Sequence, residues 1–211
     1  MTTPRITSFS ATVNIETLVK NEHAVAKDCA LKTIIVDAEG KPIATARSEK
    51  TIAAGREFRF SQDLVVPSPT LWSVEAPELH YAHTVVLEGK KVADDYFTPF
   101  GIREIRWDPK KGLFVNNKVQ LLKGVCIHHD LGCLGAAFHD RAMARRLEVL
   151  NSIDCNAIRT SHNPPAPQLL DLCDRMGFLV IDEAFDKWGG HNHQMFMRSR
   201  LQLVFSKFYL L

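Results

Sequence analysis

The stretch from Ala157 to Trp188, AIRTSHNPPAPQLLDLCDRMGFLVIDEAFDKW, confines the second half of this chain to a parallel β/α arrangement. Ala157 to Thr160 reads as a short strand. Pro167 is suited to the first turn of a helix whose Leu169, Leu170, Cys173 and Met176 fall on one face, and Gly177 supplies a left-handed stop. Leu179 to Ile181 is apolar throughout, the pattern of a strand covered on both sides. Two strands joined by a helix run parallel, so their carboxyl ends share one face. Arg159 and His162 on one strand end should therefore lie beside Asp182 and Glu183 on the next.

The same alternation starts earlier. Gln120 to Val125 reads as a short apolar strand, and Asp140 can cap a helix in which Met143, Leu147, Leu150 and Ile153 recur at helical spacing. Three β/α steps begin a barrel without closing it, since closure takes eight. From Arg5 to about Thr98 the period is two instead. TVNIETLV, ALKTIIVD, FRFSQDLVV, HYAHTVVLEG and KVADDYFTPFG alternate as strands, and Asp37 to Pro42, Ala53 to Arg56 and Leu87 to Lys90 are turns between them. Roughly seven such strands suggest an immunoglobulin-like sandwich, although the antibody Cys-Trp-Cys spacing is missing. The change of period falls between Phe100 and Asp108. The expected fold class is multidomain β plus α/β, with a sandwich over residues 1–102 and β/α units over 103–211.

A chain of 211 residues with 45% hydrophobic content can bury two modest cores. Its 26 basic and 24 acidic residues are scattered, so neither a nucleic-acid partner nor an acidic solvating arm is expected. Five cysteines without a CxxC pair read as reduced core thiols. The start MTTPRITSFS lacks a basic region followed by an apolar run, and no stretch approaches the length of a membrane span. The expectation is a soluble protein with no membrane partner and no export address, cytoplasmic, or periplasmic if a signal lies upstream.

The blocks LWSVEAPELHY, FGIREI, GLFVNNKVQLLKGVCIHHD, NAIRTSHNPP and LCDRMGFLVIDEAF, in that order, resemble glycoside hydrolase family 2 from about Ile6 to Gly190. The resemblance implies a jelly-roll domain, an immunoglobulin-like domain and a (β/α)8 TIM barrel in a complete enzyme, with this chain matching the second domain and the barrel's first three β/α units. DEAF is similar to the β-galactosidase branch. The implied activity is that of a retaining exo-β-glycosidase on terminal β-linked sugars. Such chemistry needs two carboxyl groups about 5 Å apart. The family places its acid/base in an Asn-Glu pair after barrel strand 4 and its nucleophile after strand 7, and neither region is represented. Asn21-Glu22, the chain's one Asn-Glu, falls in the sandwich and is a decoy. The expectation is a fragment without catalytic residues, inactive alone, with a tail HNHQMFMRSRLQLVFSKFYLL that departs from the family. No cofactor is expected in this chain, while a complete enzyme leaves room for a divalent cation.

By the resemblance, His128 and His162 contact the sugar, since neutral imidazole can donate or accept toward hydroxyls. His129 supports their loop. Asn163 with Pro164 and Pro165 makes a rigid turn that aims His162. Arg159 would hold a catalytic carboxylate bidentately or, more plainly, pair with Asp182 or Glu183. Asp182 and Glu183 are adjacent and point to opposite faces, so they are no catalytic dyad. One would orient Arg159 or His128 and the other would be structural. Trp188 is either a platform for a sugar face or plain packing, and Trp72 a core or interdomain anchor. His191 and His193 lack a third ligand at fixed spacing, so no metal site is expected. Carbohydrate is the expected partner. An open three-stranded sheet also favours a homo-oligomer through the exposed barrel edge, which fits the alternative of a non-catalytic interaction or carbohydrate-binding module.

Overall fold

Alternating apolar and polar residues build a β-sandwich from the first half of the chain in the computed structural model, which describes residues 1–183. Its strands are β1 (Thr2–Ile6), β2 (Ser10–Lys20), β3 (Lys27–Val36), β4 (Pro42–Ile52), β5 (Glu57–Pro67), β6 (His80–Glu88) and β7 (Lys91–Phe100). Two antiparallel sheets, ordered β1-β2-β5 and β4-β3-β6-β7, face each other in the immunoglobulin-like manner. In β5 the residues Phe60, Gln62, Leu64 and Val66 turn inward while their neighbours meet solvent. Leu64 and Val66 pack with Val13, Ile15, Ile35 and Ala82. Gln62 is buried but satisfied, accepting from Thr33 Oγ1 at 2.6 Å and donating to the Leu31 carbonyl and Ser48 Oγ.

Strands β1 and β4 extend the five segments legible from alternation. The second is an edge strand whose Arg47, Glu49 and Lys50 hide its pairing with β3, which runs from Lys27↔Ile52 to Ile35↔Ala44. After Gly101 the chain does not pass straight to β/α structure. A small antiparallel sheet intervenes, made of β8 (Ile105–Asp108), β9 (Gly112–Val115) and β10 (Lys118–Val119). Asn116 and Asn117, both at positive φ, form its turn. Trp72 is fully buried in this first unit, donating its backbone N–H to Ile102 and carrying the Arg103 guanidinium over its ring. Among the described residues, the first unit comprises Met1–Ser73 and Glu78–Lys118, and the second comprises Val74–Pro77 and 119–183.

The second unit holds β11 (Gly124–His128), α1 (Asp140–Asn151), β12 (Ala157–Ser161), α2 (Pro167–Met176) and β13 (Leu179–Ile181). β11 begins at Gly124 rather than Gln120. The strands form one parallel sheet, β11-β12-β13, with His128 opposite Ser161 and Arg159 opposite Ile181. Ile127, Ile158 and Val180 pack against Met143 and Leu147 of α1 and Leu169, Leu170 and Cys173 of α2. The α1 cap is His139, whose ring accepts from the Ala142 N–H, and Asp140 is instead the first helical residue, where its charge suits the helix dipole. Ile153 lies past the helix and is exposed. Asn156 ties the starts of all three strands: its side chain accepts from Lys123 N and donates to the Leu121 carbonyl, while its own carbonyl accepts from Leu179 N.

All five cysteines are free, but only Cys155 and Cys173 are buried. Cys126 and Cys133 are exposed, correcting the core reading, because Cys126 faces away from the helices and Cys133 sits in a single 3-10 turn at Gly132–Leu134. Among the described residues no helix is long and apolar enough to cross a membrane.

Gly177 closes α2 at φ +77°, and a Cβ there would fall on the Val74 carbonyl. Gly177→Ala is expected to lose about 2 kcal/mol or more by urea unfolding, from left-handed strain plus overpacking. Gly40→Ala, at φ +81° in open space, should lose about 1 kcal/mol. His80 is buried beside the Phe100 ring with Nδ1 unpartnered, and burial lowers its pKa against the opposing pull of Asp37 and Glu78. The unfolded chain therefore takes this proton first as pH falls below about 6.5, and the stability present above that pH is lost on the way to the lower folded value. Unfolding midpoints at pH 7.5 and 5.5 should differ less in His80→Asn than in the parent chain.

Candidate functional site

The parallel register decides which side chains meet at the carboxyl ends of the strands. Side chains alternate across a sheet, so the row Ile127, Ile158, Val180 faces the helices, and His128 and Arg159 face the other side. The same alternation carries past the end of β13. Asp182 turns toward the helix side and accepts from Thr160 Oγ1 at 3.1 Å. Glu183 turns to the opposite side, with its backbone N–H on the same Thr160 hydroxyl at 3.1 Å.

Glu183 is the centre of the cluster. Its Oε1 accepts from Arg159 Nε at 2.7 Å and is also paired with Arg159 Nη2, a two-pronged charge-assisted contact. Its Oε2 lies 3.3 Å from His162 Nδ1. The His162 ring meets that of His128 edge to face, with centroids 5.6 Å apart. The peptide bond between Ser161 and His162 is cis. Four of the residues singled out from sequence, His128, Arg159, His162 and Glu183, thus come together, and Asp182 is turned away from them to hold Thr160. Asn163 donates to the Pro164 carbonyl at 3.3 Å and lines a small cavity with His128, His129 and Ser161 beneath the loop that follows β11. Trp188, His191 and His193 lie outside the described residues. Among those described, no three His, Cys, Asp or Glu side chains gather as a metal site.

Asn21-Glu22 is structural. The Asn21 amide is buried and donates to the carbonyls of Val25 and Ile52 at 2.9 Å each, closing the β2–β3 connection, while exposed Glu22 pairs with Lys20. Neither side chain is free for acid/base work as a pair.

Cys126, opposite Arg159 on β11, joins the cluster without having been singled out from sequence. Its thiol is 3.6 Å from Arg159 Nη1, and the Ser161 hydroxyl and the guanidinium together pull it below the ordinary thiol value. The available signal was its offset of two residues from His128, which puts both on one face of a strand.

The family comparisons agree with this arrangement. Residues 1–103 match the model described as glycosyl hydrolases family 2, and residues 108–207 match that of the family 2 TIM barrel domain. The chain belongs to glycoside hydrolase family 2. The sandwich and the three parallel strands with their two helices are accordingly its immunoglobulin-like domain and the beginning of its TIM barrel. A family 2 relative, the β-galactosidase BoGH2A of Bacteroides ovatus, is 45% identical over 188 residues, 89% of this chain and 22% of that protein. A solved family 2 member from Bacteroides cellulosilyticus superposes with a TM-score of 0.86 at 38% identity, over 93% of this chain and 27% of the other. Bacteroides uniformis β-glucuronidase superposes with a TM-score of 0.81 at 28% identity, over 91% and 24%. The chain spans about a quarter or less of the length of these relatives.

Alkylation reports on the site directly. Cys126 is exposed with a lowered pKa, whereas burial raises that of Cys173. At pH 7.5 iodoacetamide is expected to modify Cys126 at least about 10-fold faster than Cys173, read by peptide mass spectrometry, and Arg159→Ala should slow Cys126 while leaving Cys173 unchanged.

Proposed function

We propose that this chain is the glycone-binding part of a retaining exo-β-glycosidase, with a terminal β-galactoside as ligand. The observation that carries the reading is the convergence of His128, His162, Arg159 and Glu183 at the carboxyl ends of parallel strands, the face on which barrel enzymes build their sites. Two imidazoles can exchange hydrogen bonds with sugar hydroxyls, and Asn163 stiffens the turn that bears His162. Support for a galactoside comes from the β-galactosidase relative at 45% identity. The β-glucuronidase likeness at 28% makes a glucuronide the comparison ligand.

In this proposal the chain binds and positions but does not cleave. Glycosidic bond scission needs two facing carboxyl groups. Of the two acids at the rim, Glu183 is engaged by Arg159 and His162, and Asp182 faces the other way. A second reading, a non-catalytic module that self-associates, is favoured by β11 and β13, the edge strands of the sheet among the described residues.

Purified 1–211 protein is expected to show no turnover of nitrophenyl β-galactoside above a mock preparation, while methyl β-galactoside at millimolar concentration shifts the ring resonances of His128 and His162 by NMR. Turnover would refute the two-carboxyl argument. Absence of any shift would remove the glycone reading, and a dimeric native mass together with that absence would favour the module.

A further inference from the structure

We propose that Glu183 is a positioning residue that fixes the tautomer of His162, so that this imidazole presents a lone pair, not an N–H, to its ligand. The inference rests on the reading that His162 meets the sugar, and it specifies the polarity of that contact. A neutral imidazole carries one proton, and the partner of one ring nitrogen decides which holds it. His162 Nδ1 lies 3.3 Å from Glu183 Oε2. The approach is an ion-pair contact and not an aligned hydrogen bond; the negative charge of a carboxylate this close favours the proton on Nδ1 and leaves Nε2 as the acceptor.

The carboxylate is held against swinging away. Arg159 engages Oε1 through both Nε and Nη2, which orients the plane of the group and sets Oε2 toward the histidine. The backbone N–H of Glu183 is tied to Thr160 Oγ1, and that hydroxyl donates in turn to Asp182. The Glu183 side chain is 22% exposed, which limits competition from water. An acceptor at Nε2 selects a ligand group that donates. A free hydroxyl satisfies it, and an O-methyl or fluoro substituent at the same position does not.

The test is made on the 211-residue chain without sugar, at a pH where the ring is neutral, from the nitrogen-15 shifts of His162. The expected result is a pyrrole-like Nδ1 and a pyridine-like Nε2. Glu183→Gln, or Glu183→Asp should the first not fold, is expected to move the tautomer ratio toward the Nε2–H form by about 3-fold or more as the facing charge is removed or drawn back, with Asp182→Asn leaving it unchanged. A parent chain in the Nε2–H form, or a ratio insensitive to Glu183, overturns the proposal. Because the readout needs no ligand, its failure is distinct from a failure of glycoside binding.

Discussion

Everything at the rim depends on the register of three parallel strands. Side chains on a strand alternate with a period of two, so a slip of one residue between β11 and β12 would send Arg159 into the helix-packed core and bring Ile158 to the polar side. Such a slip would bury an unpaired guanidinium and expose a residue that is now 1% accessible. Hydrophobic packing of Ile127, Ile158 and Val180 against the two helices therefore does more than stabilise the unit. It selects the one pairing in which His128, Arg159 and Glu183 occupy the same side.

Packing alone leaves the strands free to shift by two residues, and the starts of the strands remove that freedom. Asn156 is held by Lys123 and Leu121 before β11 and by Leu179 at the head of β13, with its own position set by the chain entering β12. Gly124, facing Ala157 so closely that a Cβ would meet its carbonyl oxygen at 2.9 Å, fixes the same end by shape. The amino ends of the strands thus set the alignment, and the carboxyl ends carry the chemistry. This division is common in barrels, where one face reads as stability and the other as function.

Much of this was legible in sequence, for reasons specific to each element. The helix from Pro167 to Gly177 was clear because its start, inward stripe and left-handed stop all agree locally. Arg159, His162 and Glu183 could be placed together because parallel strands leave no other choice. β4 was not legible, since an edge strand needs only one paired neighbour and carries charges that erase its alternation. The β8–β10 sheet was missed because its strands are two to four residues long, too short for a period to register, although Asn116-Asn117 marked its turn. The exposure of Cys126 could not be foreseen, because an apolar-looking segment does not say which of its side chains meet the helices. The preference of Glu183 for Arg159 and His162 over His128 is likewise a matter of reach and rotamer, and no spacing rule encodes it.

Asp182 and Glu183, adjacent in sequence, are set to different tasks by the alternation of the strand. A nucleophile needs a free carboxylate oxygen directed at the sugar, and an acid/base needs a proton to give. Asp182 is on the wrong side of the sheet, committed to the Thr160 hydroxyl. Glu183 is on the right side, yet both its oxygens are engaged, one by the Arg159 guanidinium and the other by His162. A carboxylate in that setting is suited to holding other groups still. On the proposed reading, the second nitrogen of its neighbour His162, not the acid, is the atom of this pair that meets a ligand.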